Sequence, residues 1–543
     1  SQEFSLNPAL SSPEFIADFS SHYSAAANYS DPGGAFDLYG KPFVCARLRR
    51  LLASESALTS VASAAERLAY TRRSSDLHQL AQSGDLADAA TRAPKILRQF
   101  RSFLLDSVRP WLQRLIGLQL SDAEIDVTCS RYGRGDCLLC HDDRMLGRRV
   151  AFVWYLVDSG WSDSDGGALE LLGAQSGDGG PPEQVAASLL PERDSFVFFE
   201  VSRQSYHQVA EVTSIDKVRL SVHGWFRFPR GDPAAAALVA EDANAKEAAA
   251  SPFAHLEAPL AIDEDLVYRW INCAYLAAET QAEIRSSFGD ESQIRLDNFL
   301  NETLVAELID QLAGATWTRV GPLTQRSYDV ISLDDVIAND RAPLIIELDR
   351  LFHSDAMLVI LSDLTGLSLH YASSAVADAD EANGDEANGD EANGDKDNGD
   401  AGPAKRRRLD DAVAENSDRL PVGVCQGEFR RWRRGCYTLV RDSDYCGQGD
   451  GDGGFFLDAV WHCGCTGWRE TMGGETHFTC TADTDGEPLV TVTPEDNCLN
   501  LVYRELDTVP FVKYLNANCA QLNSAGQFYD YRALYREPAD SGK

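Results

Sequence analysis

Short segments rich in aromatic and β-branched residues begin near residue 126 and restrict the chain to a fold built on β-strands. Glycine-containing turns separate these segments, as at Gly133-Arg134-Gly135 and Asp165-Gly166-Gly167. A series of short strands joined by such turns is typical of a jelly roll or a barrel. The predicted strands are Asp126–Arg131, Asp136–His141, Arg149–Val157, Ala168–Leu172, Ser195–Val201 and Val218–Phe228.

Segments with helical periodicity lie on both sides of these strands, so we expect a mainly β fold with flanking helices, of the α+β class. A short strand is predicted at Phe43-Val44-Cys45 within an otherwise helical N-terminal region. Pro110 is expected to break or kink its helix. The predicted helices are Ala46–Leu58, Lys95–Leu118, Leu266–Thr280, Glu302–Leu312, Ala342–Leu351 and Met357–Leu364.

An internal repeat brings the strand pattern back at residues 424–515. The segment Arg434–Ser443 resembles Arg134–Asp143, with the same Arg-Gly start. Trp468 before Gly473-Gly474 likewise mirrors Trp161 before Gly166-Gly167. We therefore predict two jelly-roll domains in tandem.

A possible metal site lies in the first repeat, where His141 and Asp143 are followed by His207 and then Arg219. Two imidazoles and one carboxylate are the ligands of a facial-triad iron(II) site, which leaves positions open for a chelating co-substrate and oxygen. Alternate residues of a strand share a side, so His141 and Asp143 are predicted to bind one metal together. Arg219 can hold the far carboxylate of a dicarboxylate co-substrate in two parallel bonds. Each residue alone is a weak signal, but the ordered set in strands is specific.

Three further residues belong to this hypothesis in different ways. Tyr155 lies in a predicted strand, where its phenol could donate to the same carboxylate or simply be a core aromatic with its hydroxyl at the rim. Asp142 should face away from the metal, by strand parity. His223 falls on the same face as Arg219, although the site does not need it as a ligand.

The second repeat has Arg441, Ser443 and Val512 at the three ligand positions. None of these residues makes an iron triad. We therefore expect the second barrel to be a scaffold or a binding surface without its own metal.

Composition suggests a division of the 543 residues into several parts. We assign 1–230 to a catalytic domain with N-terminal helices, 231–262 to a linker, 263–373 with 420–543 to the second domain, and 374–419 to an acidic insert. The insert contains three copies of Glu-Ala-Asn-Gly-Asp and has too few apolar residues to fold, so we predict disorder. Its basic cluster, residues 405–408, indicates nuclear import or else a charge-neutralising patch, and we expect a protein of nucleus and cytoplasm.

The net charge of −35 argues against broad binding of nucleic acid, which needs a basic surface. The charge favours a basic protein partner, or serves only solubility. We expect no membrane span, because no apolar run reaches about 18 residues, and the first residues do not resemble a signal peptide. The 13 cysteines are expected to be reduced, with Cys463 and Cys465 buried as small apolar side chains in preference to a zinc site.

Motifs throughout the chain resemble the ribosomal prolyl hydroxylase family of 2-oxoglutarate- and iron(II)-dependent oxygenases. The resemblance runs from about residue 30 to residue 535, outside the acidic insert. The segments that carry it are Leu138–Asp143, Gly147–Arg149, Tyr155–Val157, Val197–Ser202, Tyr206–Val209, Arg219–Ser221, Gly224–Phe226, Trp270–Asn272, Leu364–Leu367, Cys425–Glu428 and Leu501–Arg504.

This resemblance implies two double-stranded β-helix domains, the first catalytic and the second inactive. It implies that His141, Asp143 and His207 bind Fe(II), that Tyr155 and Arg219 bind 2-oxoglutarate, and that O2 and L-ascorbate take part. The implied reaction is hydroxylation of one prolyl residue, expected at ring position 3, in a small-subunit ribosomal protein. Effects on translational accuracy and termination, and an association with termination factors, are implied as well.

Three other functions are compatible with the sequence, and one of them is a cupin-like structural metal protein, which turnover of 2-oxoglutarate would rule out. The remaining two are as follows. The first is an oxygenase that acts on another protein substrate. The second is a non-catalytic adaptor in translation termination or mRNA turnover, with the second barrel as its binding surface. An adaptor role predicts that variants of the metal ligands keep the cellular function.

Overall fold

The computed structural model describes residues 4–174, 180–238, 256–339, 342–373, 422–442, 455–480, 487–523 and 525–538. The predicted acidic insert with its basic cluster, Ser443 and part of the predicted linker lie outside these ranges. Within them, no helix combines the length and apolar character needed to cross a membrane.

The described residues up to Arg227 contain thirteen strands and five α-helices. The strands are β1 (Tyr29–Ser30), β2 (Phe36–Tyr39), β3 (Cys45–Arg49), β4 (Thr71–Ser74), β5 (His78–Gln82), β6 (Ile125–Tyr132), β7 (Cys137–His141), β8 (Arg148–Tyr155), β9 (Leu169–Gly173), β10 (Gln184–Leu189), β11 (Ser195–Glu200), β12 (His207–Val209) and β13 (Arg219–Arg227). The helices are α1 (Pro8–Ser11), α2 (Pro13–Ser24), α3 (Glu55–Glu66), α4 (Lys95–Phe103) and α5 (Arg109–Ile116), with a π-helical turn at Leu104–Val108.

Antiparallel pairing joins the strands of this half in the order β1-β2-β3-β11-β8-β13-β6-β5-β7-β12-β9-β10, with β4 on β5. Strand β5 lies between two groups of strands. The larger group is β1-β2-β3-β11-β8-β13-β6, and the smaller group is β7-β12-β9-β10. The helices pack on the larger group through a core that includes Phe100, Trp111 and Trp154. The mainly β fold with flanking helices is confirmed.

Two predicted helices differ from the structure. The Ala46–Leu58 helix is wrong, because β3 occupies its first part and α3 begins only at Glu55. Alternation explains the strand: Leu48 is buried in the core, whereas Arg47 and Arg49 both bind Asp37, at 2.7 and 2.6 Å.

The Leu266–Thr280 helix is also wrong as one element, since it ends at Trp270 and a new helix begins at Ala278. The predicted break at Pro110 takes the form of the π-helical turn just before α5. Proline lacks the N–H that would close the next α-helical bond, so the preceding turn departs from α-helical geometry.

The second half has six described α-helices and eleven strands. The helices are α6 (Glu264–Trp270), α7 (Ala278–Glu291), α8 (Glu302–Gly314), α9 (Leu333–Asn339), α10 (Pro343–Phe352) and α11 (Asp355–Thr365). The strands are β14 (Gln293–Leu296), β15 (Trp317–Val320), β16 (Arg326–Ile331), β17 (Val424–Arg433), β18 (Tyr437–Thr438), β19 (Phe455–Cys463), β20 (Thr476–Cys480), β21 (Val490–Val492), β22 (Cys498–Glu505), β23 (Thr508–Val512) and β24 (Gln527–Arg536).

These strands form two antiparallel sheets. One has the order β14-β22-β19-β24-β17-β16-β15, with β18 on β16, and the other has the order β21-β20-β23. The helices of this half cover the larger sheet through a core that includes Trp270, Leu361, Trp461 and Tyr531.

The internal repeat appears in the structure as matched contacts. The indole N–H of Trp161 donates to the Gly166 carbonyl at 2.8 Å, and that of Trp468 donates to the Gly473 carbonyl at 2.9 Å. Both glycines have left-handed backbone, with φ of 68° and 74°. The same turn therefore precedes β9 in the first half and β20 in the second.

A second matched contact lies at the other end of the sheets. Trp154 donates to Asp194 Oδ1 at 2.9 Å, and Trp461 donates to Asn497 Oδ1 at 3.1 Å. Asp194 and Asn497 both have positive φ, 58° and 54°, a conformation that Asp and Asn tolerate better than most residues. The repeat therefore extends from the turns to the buried tryptophans.

Candidate active site

Strand pairing brings the two predicted histidine ligands together. His141 is the last residue of β7 and His207 is the first residue of β12, and these two residues are opposite each other in the antiparallel pair. Their ring centroids are 4.2 Å apart. The 65 intervening residues therefore do not prevent the two histidines from sharing one site.

Asp143 completes the cluster from just beyond β7. Its Oδ1 lies 3.6 Å from His141 Nε2, and its Oδ2 lies 3.5 Å from His207 Nε2. One ligand atom from each of the three residues lies within 4.8 Å of the others. The prediction that strand alternation places Asp143 beside His141 is wrong, because β7 ends at His141. A left-handed φ of 62° at Asp143 turns its carboxylate toward the histidines.

Backbone carbonyls fix the orientation of both imidazoles. His141 Nδ1 donates to the Leu139 carbonyl at 2.8 Å, and His207 Nδ1 donates to the Ser205 carbonyl at 2.7 Å. The proton on Nδ1 leaves the lone pair on Nε2, which faces Asp143 in each case. Metal-binding histidines are usually held in this way.

The protonation states of these residues suit a divalent metal. Burial, reinforced by His207, lowers the pKa of His141 to about 3, so this imidazole is neutral near neutral pH. Burial alone would raise the pKa of Asp143, but His207, His141 and Arg148 outweigh it and lower that pKa. A neutral His141 imidazole and an ionised Asp143 carboxylate, together with the second imidazole of His207, match the donor set of an iron(II) site.

Arg219 and Tyr155 form a second, buried part of the site. Arg219 Nε donates to the Gly167 carbonyl at 2.8 Å, and Nη2 donates to the Tyr155 hydroxyl oxygen at 3.2 Å. The guanidinium lies between the rings of Tyr132 and Tyr155, 4.9 Å from each centroid. Burial raises the pKa of Tyr155, so its phenol keeps a proton to donate. A carboxylate can accept from both side chains.

One cavity of about 670 Å³ contains the metal cluster and Arg219. Ser221 also lines it, two residues along β13 from Arg219 and paired with Tyr155 across the sheet. Sequence reasoning did not single out Ser221 or Tyr132. Strand parity from Arg219 would have found Ser221, whereas Tyr132 enters through its register opposite Arg219.

Arg148 and Trp225 make a cationic edge beside Asp143, which the sequence did not reveal. The Arg148 guanidinium stacks 3.4 Å from the Trp225 ring centroid. Its Nη1 is 3.6 Å from Asp143 Oδ1. This arginine therefore adds positive charge next to the only carboxylate of the three-residue cluster.

The two neighbouring polar residues play other roles. Asp142 accepts from Arg144 Nε at 2.7 Å and does not join the cluster. His223 lines the cavity, but its Nε2 contacts the Ser130 hydroxyl at 2.7 Å, and burial lowers its pKa to about 4. His223 is held by polar side chains and is not in the cluster.

The second half lacks ligand atoms at the equivalent places that are described. His207 pairs with Leu171 in β9, and Pro510 pairs with Phe478 at the matching position of β20, so Pro510 replaces the predicted Val512 as the counterpart of His207. Neither Pro510 nor Val512 offers a ligand atom. Arg441 is exposed, and Ser443 lies outside the described residues.

A buried ion-pair group occupies the interior of the second half. Asp458 accepts from Arg504 Nε and Arg532 Nη2, each at 2.5 Å. The cavity beside them is about 10 Å³, room for a single water. Phe528 lies against Gly474 as Arg219 lies against Gly167, so an apolar residue stands at the counterpart of Arg219.

The cysteines that the structure describes are all free thiols, and most are buried. Cys463 and Cys465 belong to no metal-ligand cluster within the described residues. A second acidic group, Asp297 with Glu495 and Cys498, is already paired: Arg295 binds Asp297 at 2.9 Å and Glu495 at 2.8 Å.

Known proteins match both halves of the chain. The 2OG-Fe(II) oxygenase superfamily matches residues 127–227, and the oxoglutarate and iron-dependent oxygenase degradation C-terminal domain matches residues 263–539. Among solved structures, a Pseudomonas putida prolyl-4-hydroxylase aligns at 22% identity and a TM-score of 0.27, covering 34% of this chain and 93% of that chain.

Two relatives match over most of their length. Prolyl 3-hydroxylase OGFOD1 of Xenopus laevis is 34% identical over 484 residues, covering 87% of this chain and 83% of the relative. Prolyl 3-hydroxylase OGFOD1 of Mus musculus is 31% identical over 544 residues, covering 95% and 92%. The chain therefore belongs to the 2OG-Fe(II) oxygenase superfamily and, within it, to the family of these prolyl 3-hydroxylases.

Proposed function

We propose that this protein uses Fe(II), 2-oxoglutarate and O2 to hydroxylate a prolyl residue at ring position 3 in a protein substrate. The observation that carries the proposal is the cluster of His141, Asp143 and His207, which opens into the same cavity as Arg219. The relatives named prolyl 3-hydroxylase support the choice of residue and of ring position.

Different side chains of the site would bind the iron and the 2-oxoglutarate. His141, Asp143 and His207 would hold the iron, which when bound supplies the activation of oxygen. Arg219 and Tyr155 would bind the far carboxylate of 2-oxoglutarate and fix its orientation. Since Arg219 is only 1% exposed, its bonds to that carboxylate are shielded from water and are stronger for it.

The proposed substrate is a small-subunit ribosomal protein, and the proposed effect is on translational accuracy and termination. The net charge of −35 supports a basic partner, because opposite charge speeds encounter and favours binding. Residues 405–408 support shuttling between nucleus and cytoplasm, and translation termination factors are proposed as further partners. L-ascorbate is proposed to keep the iron reduced.

The second half is proposed to be a non-catalytic double-stranded β-helix domain. Its two-sheet layout and its matched tryptophan turns support a common origin with the first domain. Pro510 and the buried Asp458 ion pairs support the loss of the metal site. The domain keeps the architecture without the chemistry.

Intact-mass analysis of the ribosomal protein, or of a peptide containing its prolyl site, tests this function. With iron, 2-oxoglutarate and ascorbate, the wild-type protein should add the mass of one oxygen atom, and fragmentation should locate it on a prolyl ring. His207→Ala should abolish the shift. His22→Ala, a histidine in α2 outside the cavity lining, should leave the shift unchanged.

The same variants separate this function from the adaptor alternative. If His207→Ala restores translation termination in cells that lack the protein as fully as the wild type does, the adaptor role is favoured. Loss of rescue with His207→Ala and full rescue with His22→Ala would support catalysis.

A further inference from the structure

We infer that the opening of the iron cavity is a polypeptide-binding surface built by both domains, in which Arg441 of the second domain binds a main-chain carbonyl of the substrate. Met145 and Leu146 of the first domain would contact an apolar side chain of the same polypeptide. This inference rests on the proposed function, and it names the residues outside the iron site that select the substrate.

Arg441 belongs to the second domain but lines the cavity of the first. Its Nη2 donates to the carbonyl of Cys140 at 3.0 Å, directly before the ligand His141. The residue is also exposed, and because a guanidinium carries five N–H donors, Arg441 has donors available to a ligand at the cavity besides the one bound to Cys140. A guanidinium anchored at one nitrogen can present its other donors in a fixed direction.

The contact between the domains is built to hold Arg441 in place. Val440 N–H donates to Asp76 Oδ2 at 3.0 Å, one residue before the arginine. Leu439, two residues before Arg441, packs with Leu139 of β7 in one buried cluster. The turn that carries Arg441 is therefore held against β7, the strand that ends at His141.

Glu211 locks the same interface at a second point. This first-domain carboxylate is 4% exposed, and both of its oxygens are bound by the second domain. Arg434 Nε donates to Oε2 at 2.9 Å, and Ala517 N–H donates to Oε1 at 2.7 Å. Separating the domains would leave these acceptors without their partners, so the docked arrangement is favoured.

Met145 and Leu146 form an apolar part of the same opening. They are 58% and 66% exposed, and Met145 lines the cavity. The backbone beneath them is fixed, because Arg148 N–H donates to the Met145 carbonyl and Arg227 Nη2 donates to the Leu146 carbonyl, at 3.1 and 3.2 Å. These two adjacent apolar side chains on an ordered turn therefore offer an apolar contact at the cavity.

A polypeptide is the partner that suits these groups. Its main chain offers carbonyl acceptors to Arg441, and its side chains offer apolar area to Met145 and Leu146. The residue between these contacts would enter the cavity toward the iron. The second domain, whose described residues place no ligand atoms at the equivalent of the iron site, would thereby serve in substrate selection.

Peptide binding and turnover in Arg441 variants test the inference with the full-length protein. The probe is a fluorescent peptide that contains the ribosomal prolyl site, titrated under nitrogen with Mn(II) and 2-oxoglutarate. Arg441→Ala should weaken binding and raise the peptide KM by roughly ten- to a hundredfold, as expected for a bond from a charged donor, with kcat little changed. Arg441→Lys should recover part of the loss.

Matched variants show whether the effect is specific. Arg269→Ala removes the same charge from the second domain, where it pairs with Glu347 outside the cavity lining, and should leave the peptide KM unchanged. Met145→Ser with Leu146→Ser should raise the peptide KM but not the 2-oxoglutarate KM. The thermal unfolding midpoint of each variant reports whether it is folded.

Two results would overturn the inference. One is a peptide affinity in Arg441→Ala equal to that of the wild type. The other is a loss of kcat and of metal binding at unchanged peptide affinity, which would make Arg441 a positioning residue for His141. A wild-type protein that neither binds nor hydroxylates the peptide would instead refute the proposed function.

Discussion

Arg219 Nη2 donates to the hydroxyl oxygen of Tyr155 at 3.2 Å, deep in the first domain. Because this bond and the bond to Gly167 fix the guanidinium, we expect its remaining N–H groups and the Tyr155 hydroxyl to donate to one carboxylate of 2-oxoglutarate. Arg219→Ala should raise the KM for 2-oxoglutarate by roughly a hundredfold and Tyr155→Phe by about tenfold or less. Arg219→Lys keeps the charge but loses the planar fork, and should fall between them. Unchanged 2-oxoglutarate KM in Arg219→Ala would contradict this role.

Gly167 makes room for Arg219, and its replacement should disable the site indirectly. A Cβ at this position would lie 3.0 Å from Arg219 Cδ and 3.0 Å from Val212 Cγ2. Gly160 is a matched control, since it also has positive φ, 92°, but nothing within 4 Å of an added Cβ. We expect Gly167→Ala to raise the 2-oxoglutarate KM several times more than Gly160→Ala. Backbone strain should lower the free energy of unfolding of both variants by about 1 kcal/mol. Equal KM values in the two variants would show that Arg219 does not depend on this space.

The residue types of the metal site were predictable, but part of their geometry was not. His141, Asp143, His207 and Arg219 stand out in the sequence because their order fits one chemistry. The left-handed backbone at Asp143 does not follow from strand parity, and it replaces the expected i to i+2 arrangement. Contacts between the domains also could not be predicted, since no local sequence pattern places Arg441 at the cavity of the first domain.

Some strands of the fold could likewise be predicted from the local sequence, whereas others depend on pairing with segments that are distant in the chain. Aromatic and β-branched residues mark β6, β7, β8, β9, β11 and β13 in the sequence, whereas the short strands β10 and β12 were not predicted. The repeat of Trp161 at Trp468 is kept as a matching hydrogen bond. The segment of β3 was predicted as helix because the positions of Ala46 and Leu48 are compatible with both helical and strand periodicity. Its pairing with β2 and β11 stabilises the strand. The counterpart of His207 shifted from Val512 to Pro510 because register, not sequence spacing, sets equivalence.

Glu211 and Arg434 should show coupled effects on stability. In the wild type, Glu211→Gln weakens two bonds to the second domain and should lower the free energy of unfolding by about 1–3 kcal/mol. In an Arg434→Ala background the buried carboxylate has lost its cation, so Glu211→Gln should be neutral or stabilising. Chemical denaturation of the four proteins measures this cycle. Additive effects would contradict an energetically important interface at Glu211.

His462 should make the second domain sensitive to acid. Burial lowers its pKa to about 4 from 6.5, so the unfolded chain takes up a proton that the folded protein excludes. Its contribution to stability is therefore complete above the unfolded pKa of 6.5 and is lost as the pH falls toward 4. Between about pH 7 and about pH 5 the wild type should lose roughly 2 kcal/mol more than His462→Phe. Parallel pH profiles of the two unfolding free energies would contradict this assignment.

Anaerobic titration of the protein with Fe(II) and 2-oxoglutarate tests the iron site most directly. Chelation of 2-oxoglutarate to protein-bound iron gives a visible charge-transfer absorption, which depends on the metal and the co-substrate but not on the protein substrate. We predict that the wild type develops this absorption at one iron per chain, that Asp143→Ala and His207→Ala lack it, and that His223→Gln keeps it. Absence of the band in the wild type, or its persistence in both ligand variants, would contradict an iron site formed by His141, Asp143 and His207.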